Sequence, residues 1–433
     1  MSAGIWLCSQ LLIFLKFILD CMYKTDICIL GAGPGGATAA LHLAQMGISC
    51  LLVDKAVFPR DKVCGDALSG KVVNELKRIS DDLPLLFSKE QEQLPSWGIH
   101  FVSPGGQKLS VPFKYNYNRE ADSPAGYISK RLHFDNFLVE QVKQQPDITF
   151  WEGVELVQYE RLPGGGFKLS GKNGEPQVEA RLLIVANGAH SGFTRHIAGV
   201  QQEPKHYCAG LRAYYKGVQG LDADNFIELH FFKDLLPGYF WVFPLPGGYA
   251  NVGVGMLSSA VSKKKINLKK EMLRMIDTHP ELKKRFAGAE LVGDIKGYGL
   301  PLGSRKRKIS GDSYMLVGDA ASLIDPFTGE GVSNAMISGR WAATQAALCF
   351  QHQDFSAGFM QAYDKAVYNR LWKELKLSRQ MQKLLDYPWL FNQIASKASK
   401  NQVLAETISC MFNDLDLREK LKQPSFYFKL LFN

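Results

Sequence analysis

The apolar positions of this chain fall into three regimes. In the first, short unbroken apolar runs end in glycine or an acid. These are residues 26–30 (D-I-C-I-L) before Gly31, 48–53 before Asp54, 180–186 before Asn187-Gly188, and 313–317 before Gly318-Asp319. Such runs predict strands buried on both faces, as in a parallel sheet. In the second regime, β-branched and aromatic residues punctuated by Gly and Pro predict strands near 98–102, 210–216, 226–232, 239–244 and 249–255, forming an antiparallel sheet. In the third, from Asp354 onward, Phe359, Tyr363, Val367, Leu371 and Leu375 recur at helical spacing.

The first run leads into Gly31-Ala32-Gly33-Pro34-Gly35-Gly36, an Ala-rich helix closed by Gly47, and a second strand ending at Asp54 and Lys55. Strand, G-x-G-x-x-G, helix, strand and acid together predict a dinucleotide site. Gly31 allows the tight turn, Gly33 lets the backbone approach a pyrophosphate, and Gly36 lets helix and strand pack closely. Pro34 opens the helix, whose free N–H groups and positive dipole suit phosphate. Asp54, eighteen residues after Gly36, is placed to accept a bond from a ribose hydroxyl.

Two distant segments decide which dinucleotide. Residues 180–195 run from a strand through Asn187-Gly188 to an arginine. Residues 313–331 deliver Gly318-Asp319 and a turn through Pro326, Gly329 and Gly331, which opens a long helix. That helix start can present N–H groups to the electron-rich edge of a reduced flavin. These three motifs, in this order, resemble the FAD-dependent oxidoreductases related to para-hydroxybenzoate hydroxylase, and most closely their geranylgeranyl reductase branch. The resemblance spans residues 24–345. It implies that Asp319 meets the ribityl chain and that Gly329 and Gly331 face the isoalloxazine. The family's usual Asp-Gly reads Asn187-Gly188 here, and Arg131 begins its R-x-x-F-D-x-x-L element, whose arginine reaches the flavin side.

Two further segments look like the prenyl reductases rather than hydroxylases or halogenases. Residues 58–69 (F-P-R-D-K-V-C-G-D-A-L-S) resemble their F-P-R-x-K-x-C-G segment, a loop that can pass over the flavin ring, with Cys64 and Gly65 beside it and Cys64 as a structural contact or proton donor. Residues 239–244 (Y-F-W-V-F-P), followed by N-V-G-V-G at 251–255, resemble their aromatic strand. Alternation places Tyr239, Trp241 and Phe243 on one face, a wall suited to an isoprenoid chain. The halogenase W-x-W-x-I-P pattern is not kept. Cys64, Tyr239 and Trp241 are therefore the candidate catalytic side chains, with hydride from reduced FAD adding to a carbon–carbon double bond. NAD(P)H or a reduced carrier would supply electrons, and no second Rossmann fingerprint marks a site for NAD(P)H. A flavin monooxygenase of an aromatic or quinone-like substrate, and a non-catalytic FAD-bearing lipid-binding or sensor protein, are the competing readings.

The expected architecture is α/β: a discontinuous Rossmann-type FAD-binding domain (22–80, 126–200, 290–350), an antiparallel-sheet substrate domain (81–125, 201–289) and a C-terminal helical cap (351–433). Hydrophobic residues at 46% and charged residues at 21% of the 433 exclude a disordered chain. Eight scattered cysteines without a C-x-x-C pair argue against a disulfide framework or metal site and for reduced thiols in a cytoplasmic protein. Net charge is +9, concentrated at 263–265, 269–270, 283–285 and 305–308. These are read as solvated faces, or as peripheral contact with an anionic membrane surface at about 1 kcal/mol per basic residue. Without a recognition motif they do not indicate nucleic acid. The apolar run at 5–18 is shorter than the roughly 20 residues of a membrane span and lacks a signal-peptide layout. Residues 1–21 are read as an extension ahead of a start at Met22, or else as a short amphipathic anchor.

Overall fold

The computed structural model describes residues 22–114 and 116–398. The expectations for residues 1–21 and for the helical region beyond residue 398 lie outside them. An eight-stranded sheet has Tyr23–Leu30 near its centre, paired in parallel with Cys50–Asp54 on one side and Gln177–Val185 on the other. Ile148–Glu152 and Tyr314–Leu316 extend it, also in parallel. Ile27, Cys28, Ile29, Leu51, Leu52 and Leu182 to Val185 are almost or wholly inaccessible, the reason these strands read as unbroken apolar runs. The helices Pro34–Gln45 and Val332–His352 cross at small residues. A Cβ on Gly339 would lie 2.2 Å from the Gly35 carbonyl oxygen, so only glycine permits that approach.

The second sheet has seven strands in the order Glu290–Pro301, Tyr207–Lys216, Tyr249–Leu257, Gly238–Leu245, Ile227–His230, Gly98–Val102 and Lys108–Pro112. It is antiparallel except where Ile227–His230 pairs in parallel with Gly98–Val102. Those two strands are joined by a long excursion through the first sheet rather than by a hairpin, so nothing forces them to run oppositely. Residues 290–301, expected in the nucleotide-binding part, form an edge strand of this second sheet against Tyr207–Lys216. As an edge strand with both faces largely exposed, it lacks the apolar alternation that would have marked it.

One face of the second sheet carries Trp241 and Phe243, and the other carries Phe240 and Val242 under the helices Leu268–Thr278 and Pro280–Phe286. A small sheet of Ala67–Leu68, Gly126–Ser129 and Gln93–Ser96 completes the strand structure. The helix Ala357–Leu384 packs through Tyr363, Val367, Leu371 and Leu375 at the spacing read from the sequence, with Met360 rather than the expected Phe359 fully buried in its first turn. Arg285 departs from the reading of the basic clusters as solvated faces. It is buried, with its guanidinium 2.6 and 2.8 Å from the Glu228 carboxylate. No helix of the described residues is long and apolar enough to cross a membrane.

Candidate active site

A groove of about 670 Å³ runs along the ends of the central parallel strands. Gly31, with φ +97°, turns so tightly that a Cβ there would sit 2.6 Å from the Ala186 carbonyl oxygen. Gly36 packs against that turn, since its Cβ would fall 1.8 Å from the Gly31 oxygen. Gly33 differs: the nearest atom to a Cβ is the Arg60 guanidinium at 3.7 Å, and the residue lines the groove. A side chain there would fill open space rather than strike the fold. The helix Pro34–Gln45 has no side-chain cap and no acid in its first turn, leaving its N-terminal N–H groups for an anion. Val332–His352, which starts after Gly331, is uncapped in the same way.

Asp54 is held rigidly at the strand end. Its carboxylate accepts from the Ala32 N–H at 2.7 Å and the Ala56 N–H at 2.8 Å. Lys55 beside it is exposed, 3.5 Å from Glu155. Asn187, Gly188, Gly318 and Asp319 continue the groove to Gly329 and Gly331. Glycine-lined backbone, two uncapped helix starts and acids at both ends of the groove fit a dinucleotide with a polyol chain.

The loop through residues 58–66 spans this groove and is tied down along its length. Arg60 meets Asp135 at 2.6 Å, Asp61 meets Arg212 at 2.8 Å and Lys296 at 3.1 Å, and Lys62 meets Asp319 at 3.3 Å. Lys62 also lies over the Tyr298 ring. Arg131 lines the groove and grips Asp135 through two bonds of 2.6 and 2.7 Å. Burial alone would raise the Asp135 carboxyl, but Arg131 and Arg60 outweigh it and hold the group below the usual carboxylate range.

Beyond Cys64 and Gly65 lies a second, apolar pocket walled by Tyr239, Trp241, Phe243, Leu229 and Phe327. Tyr239, Trp241 and Phe243 form a row with ring centroids 6.1 and 6.3 Å apart. Gly253 makes room for the row, because a Cβ there would meet the Trp241 indole at 2.2 Å. The Trp241 Nε1–H donates to Asn251 Oδ1 at 2.8 Å, and Asn251 Nδ2 donates onward to the Cys64 carbonyl and to Asp66. The Tyr239 hydroxyl donates to the Thr328 carbonyl at 2.5 Å. Cys64, Gly65, Gly329 and Gly331 line both cavities, so groove and pocket meet there.

Two expected cofactor contacts sit elsewhere. Pro326 lines the apolar pocket rather than the groove, its carbonyl bound by Gln382 at 2.6 Å. Gly36 supports the turn from behind. Sequence reasoning passed over Lys62, Asp66, Arg212 and Tyr298, although Asp66 and Lys62 lie inside the segment singled out for Cys64. Three acids also line the pocket, Asp66 fully buried and Asp325 and Glu330 half-buried. Burial raises each carboxyl, that of Asp66 to about 6.

A model of the FAD binding domain matches residues 24–212. The digeranylgeranylglycerophospholipid reductase of Thermoplasma volcanium is 30% identical over 352 residues, which are 81% of this chain and 84% of that one. The menaquinone reductase of Mycobacterium tuberculosis is 28% identical over 332 residues, 74% and 76% of the two chains. Among solved structures, a geranylgeranyl bacteriochlorophyll reductase-like protein of Thermoplasma acidophilum superposes with a TM-score of 0.75 at 26% identity. That match covers 88% of this chain and 92% of the other.

Proposed function

The chain belongs to the geranylgeranyl reductase family of FAD-dependent oxidoreductases, and from that membership we propose that it saturates carbon–carbon double bonds of an isoprenoid lipid. The observation that carries the reading is the junction at Cys64 and Gly65, where a dinucleotide groove opens onto an aromatic, apolar pocket. A substrate of methyls and alkenes offers little to hydrogen-bond, and that pocket offers it mainly carbon surface.

Gly31, Gly33 and the start of Pro34–Gln45 would hold the pyrophosphate, Asp54 the adenosine ribose and Asp319 the ribityl chain. Gly329, Gly331 and the uncapped start of Val332–His352 would offer N–H groups to the electron-rich edge of the ring. When bound and reduced, FAD supplies the hydride. Tyr239, Trp241 and Phe243 align the prenyl chain and exclude water. Cys64, whose carbonyl accepts from Asn251 Nδ2, ties the loop at the groove to the sheet that carries the aromatic wall. Electrons arrive from NAD(P)H or a reduced carrier, and the exposed basic clusters favour peripheral contact with an anionic lipid surface.

The test is anaerobic incubation of dithionite-reduced protein with geranylgeranyl diphosphate, a digeranylgeranylglycerol phospholipid or menaquinone, followed by mass spectrometry. Gains of two hydrogens per step are expected. Products gaining oxygen under air, with no saturation, would instead make the protein a monooxygenase. Stopped-flow mixing with NADH, NADPH or reduced ferredoxin identifies the donor. Co-sedimentation with phosphatidylglycerol vesicles that weakens with salt tests the lipid contact.

A further inference from the structure

Saturating an alkene takes a proton as well as a hydride. Asp66 has no solvent exposure, lies next to Gly65 at the junction of groove and pocket, and forms part of the pocket wall. Its backbone is left-handed, with φ +68°, a conformation a non-glycine residue keeps only where its surroundings impose it. Three neighbours do so. Asn251 Nδ2 and the Tyr214 hydroxyl donate to Oδ2 at 2.7 and 2.8 Å, and the Arg131 N–H donates to Oδ1 at 3.2 Å. Through Asn251 the carboxyl shares one network with the Cys64 carbonyl and the Trp241 indole.

We propose that Asp66 is the acid that protonates the alkene carbon opposite the one receiving the hydride, an inference that rests on the reductase reading above. The π bond breaks, one carbon takes the hydride with its electron pair, and the other bonds to the Asp66 proton. The carboxylate left behind is stabilised by the same Asn251 and Tyr214 bonds. A solvent proton then restores the acid by way of Tyr214, which is only half-buried.

The other two pocket acids also accept hydrogen bonds, but neither joins the Asn251 network that reaches Cys64 and Trp241. Asp325 Oδ1 already accepts from the N–H groups of Phe327 and Thr328 and from the Thr328 hydroxyl. Glu330 accepts from Ser69 and Ser333 and feels the buried Lys71 ammonium. The cations near Asp66 are engaged by other carboxylates, Arg212 by Asp61 and Arg131 by Asp135. Tyr214, Arg212 and Asp61 are the ionisable groups on its strand side, and Arg131 and Cys64 those on its groove side. Burial holds the carboxyl up to about 6, with the Asn251 and Tyr214 bonds opposing. A fraction therefore remains protonated at neutral pH, unlike an ordinary aspartate.

Two measurements on the full chain test this. Infrared difference spectra of the FAD-free protein should show a protonated-carboxyl band titrating near pH 6. The band should be absent in Asp66→Asn and displaced to higher pH in Tyr214→Phe, because losing the hydroxyl destabilises the carboxylate. Anaerobic single-turnover oxidation of the prereduced protein by geranylgeranyl diphosphate should slow about tenfold per pH unit above that value. Asp66→Asn should lower this rate by about 10²-fold or more with FAD still bound, and Tyr214→Phe should move the profile upward with the band. Full turnover in Asp66→Asn, or a rate profile that stays put while the Tyr214→Phe band moves, would overturn the proposal. A wild type that saturates none of the substrates overturns the reductase reading and this one with it.

Discussion

Asn251 Nδ2 lies 2.8 Å from the carbonyl oxygen of Cys64, 187 positions away in sequence, and donates to it. That bond joins the loop at the groove to the sheet that carries the aromatic wall. Asn251 is fully buried, and its other contacts are Trp241 and Asp66. Asn251→Leu keeps the number and branching of the side-chain heavy atoms and deletes the side-chain hydrogen bonds. Reducing turnover should fall by about 10²-fold, the scale associated with displacing a reacting group by an ångström. The bound-flavin absorbance should be unchanged.

Gly33→Ala and Gly36→Ala should fail in different ways. The added methyl of Gly33→Ala has space within the fold but occupies the groove, so the protein should fold and purify without FAD. Gly36→Ala drives a methyl into the Gly31 carbonyl, so it should lose soluble yield or melt well below the wild type. Thermal melts combined with flavin stoichiometry separate the two.

Gly253→Ala strikes the aromatic wall and the neighbouring strand together, since a Cβ there would lie 2.2 Å from both the Trp241 ring and the Leu211 carbonyl oxygen. Its methyl would overlap the Trp241 ring and tilt the row. The KM for a prenyl substrate should rise about tenfold or more while flavin binding is retained, since a hydrophobic misfit is worth about 1–3 kcal/mol.

Glu228, Arg285 and His230 form a buried cluster on the far side of the second sheet. Burial pushes the Glu228 carboxyl up, but the His230 and Arg285 bonds win and hold it down at about 2. The folded value lies below the unfolded 4.5, so its stabilisation is present above pH 4.5 and is lost as pH falls toward 2. The displacement corresponds to about 3 kcal/mol. Glu228→Gln should lose about that much in urea unfolding at neutral pH, and its stability should fall less steeply on acidification.

Asp294 and Lys296 show where the pattern along the chain stops being informative. They belong to the edge strand Glu290–Pro301, whose two faces are mostly exposed, so no apolar alternation was selected there. The parallel pairing of Ile227–His230 with Gly98–Val102 was equally hidden, because strand direction across a long connection leaves no local trace.

The sequence by itself determined what local backbone demands require. Glycines at Gly31, Gly33 and Gly36, the acids Asp54 and Asp319 at strand ends, and the alternation of Tyr239, Trp241 and Phe243 are constraints acting within a few residues. They named the nucleotide and the apolar wall. Only the tertiary structure decided that Asn251 would tie Cys64 to Trp241, that Arg285 would be buried on Glu228, and that Asp66 would be a sealed acid in the pocket. Burial and hydrogen-bond partnership between residues far apart in the chain arise when the sheets come together, so a single aspartate in a loop carries no mark of them beforehand.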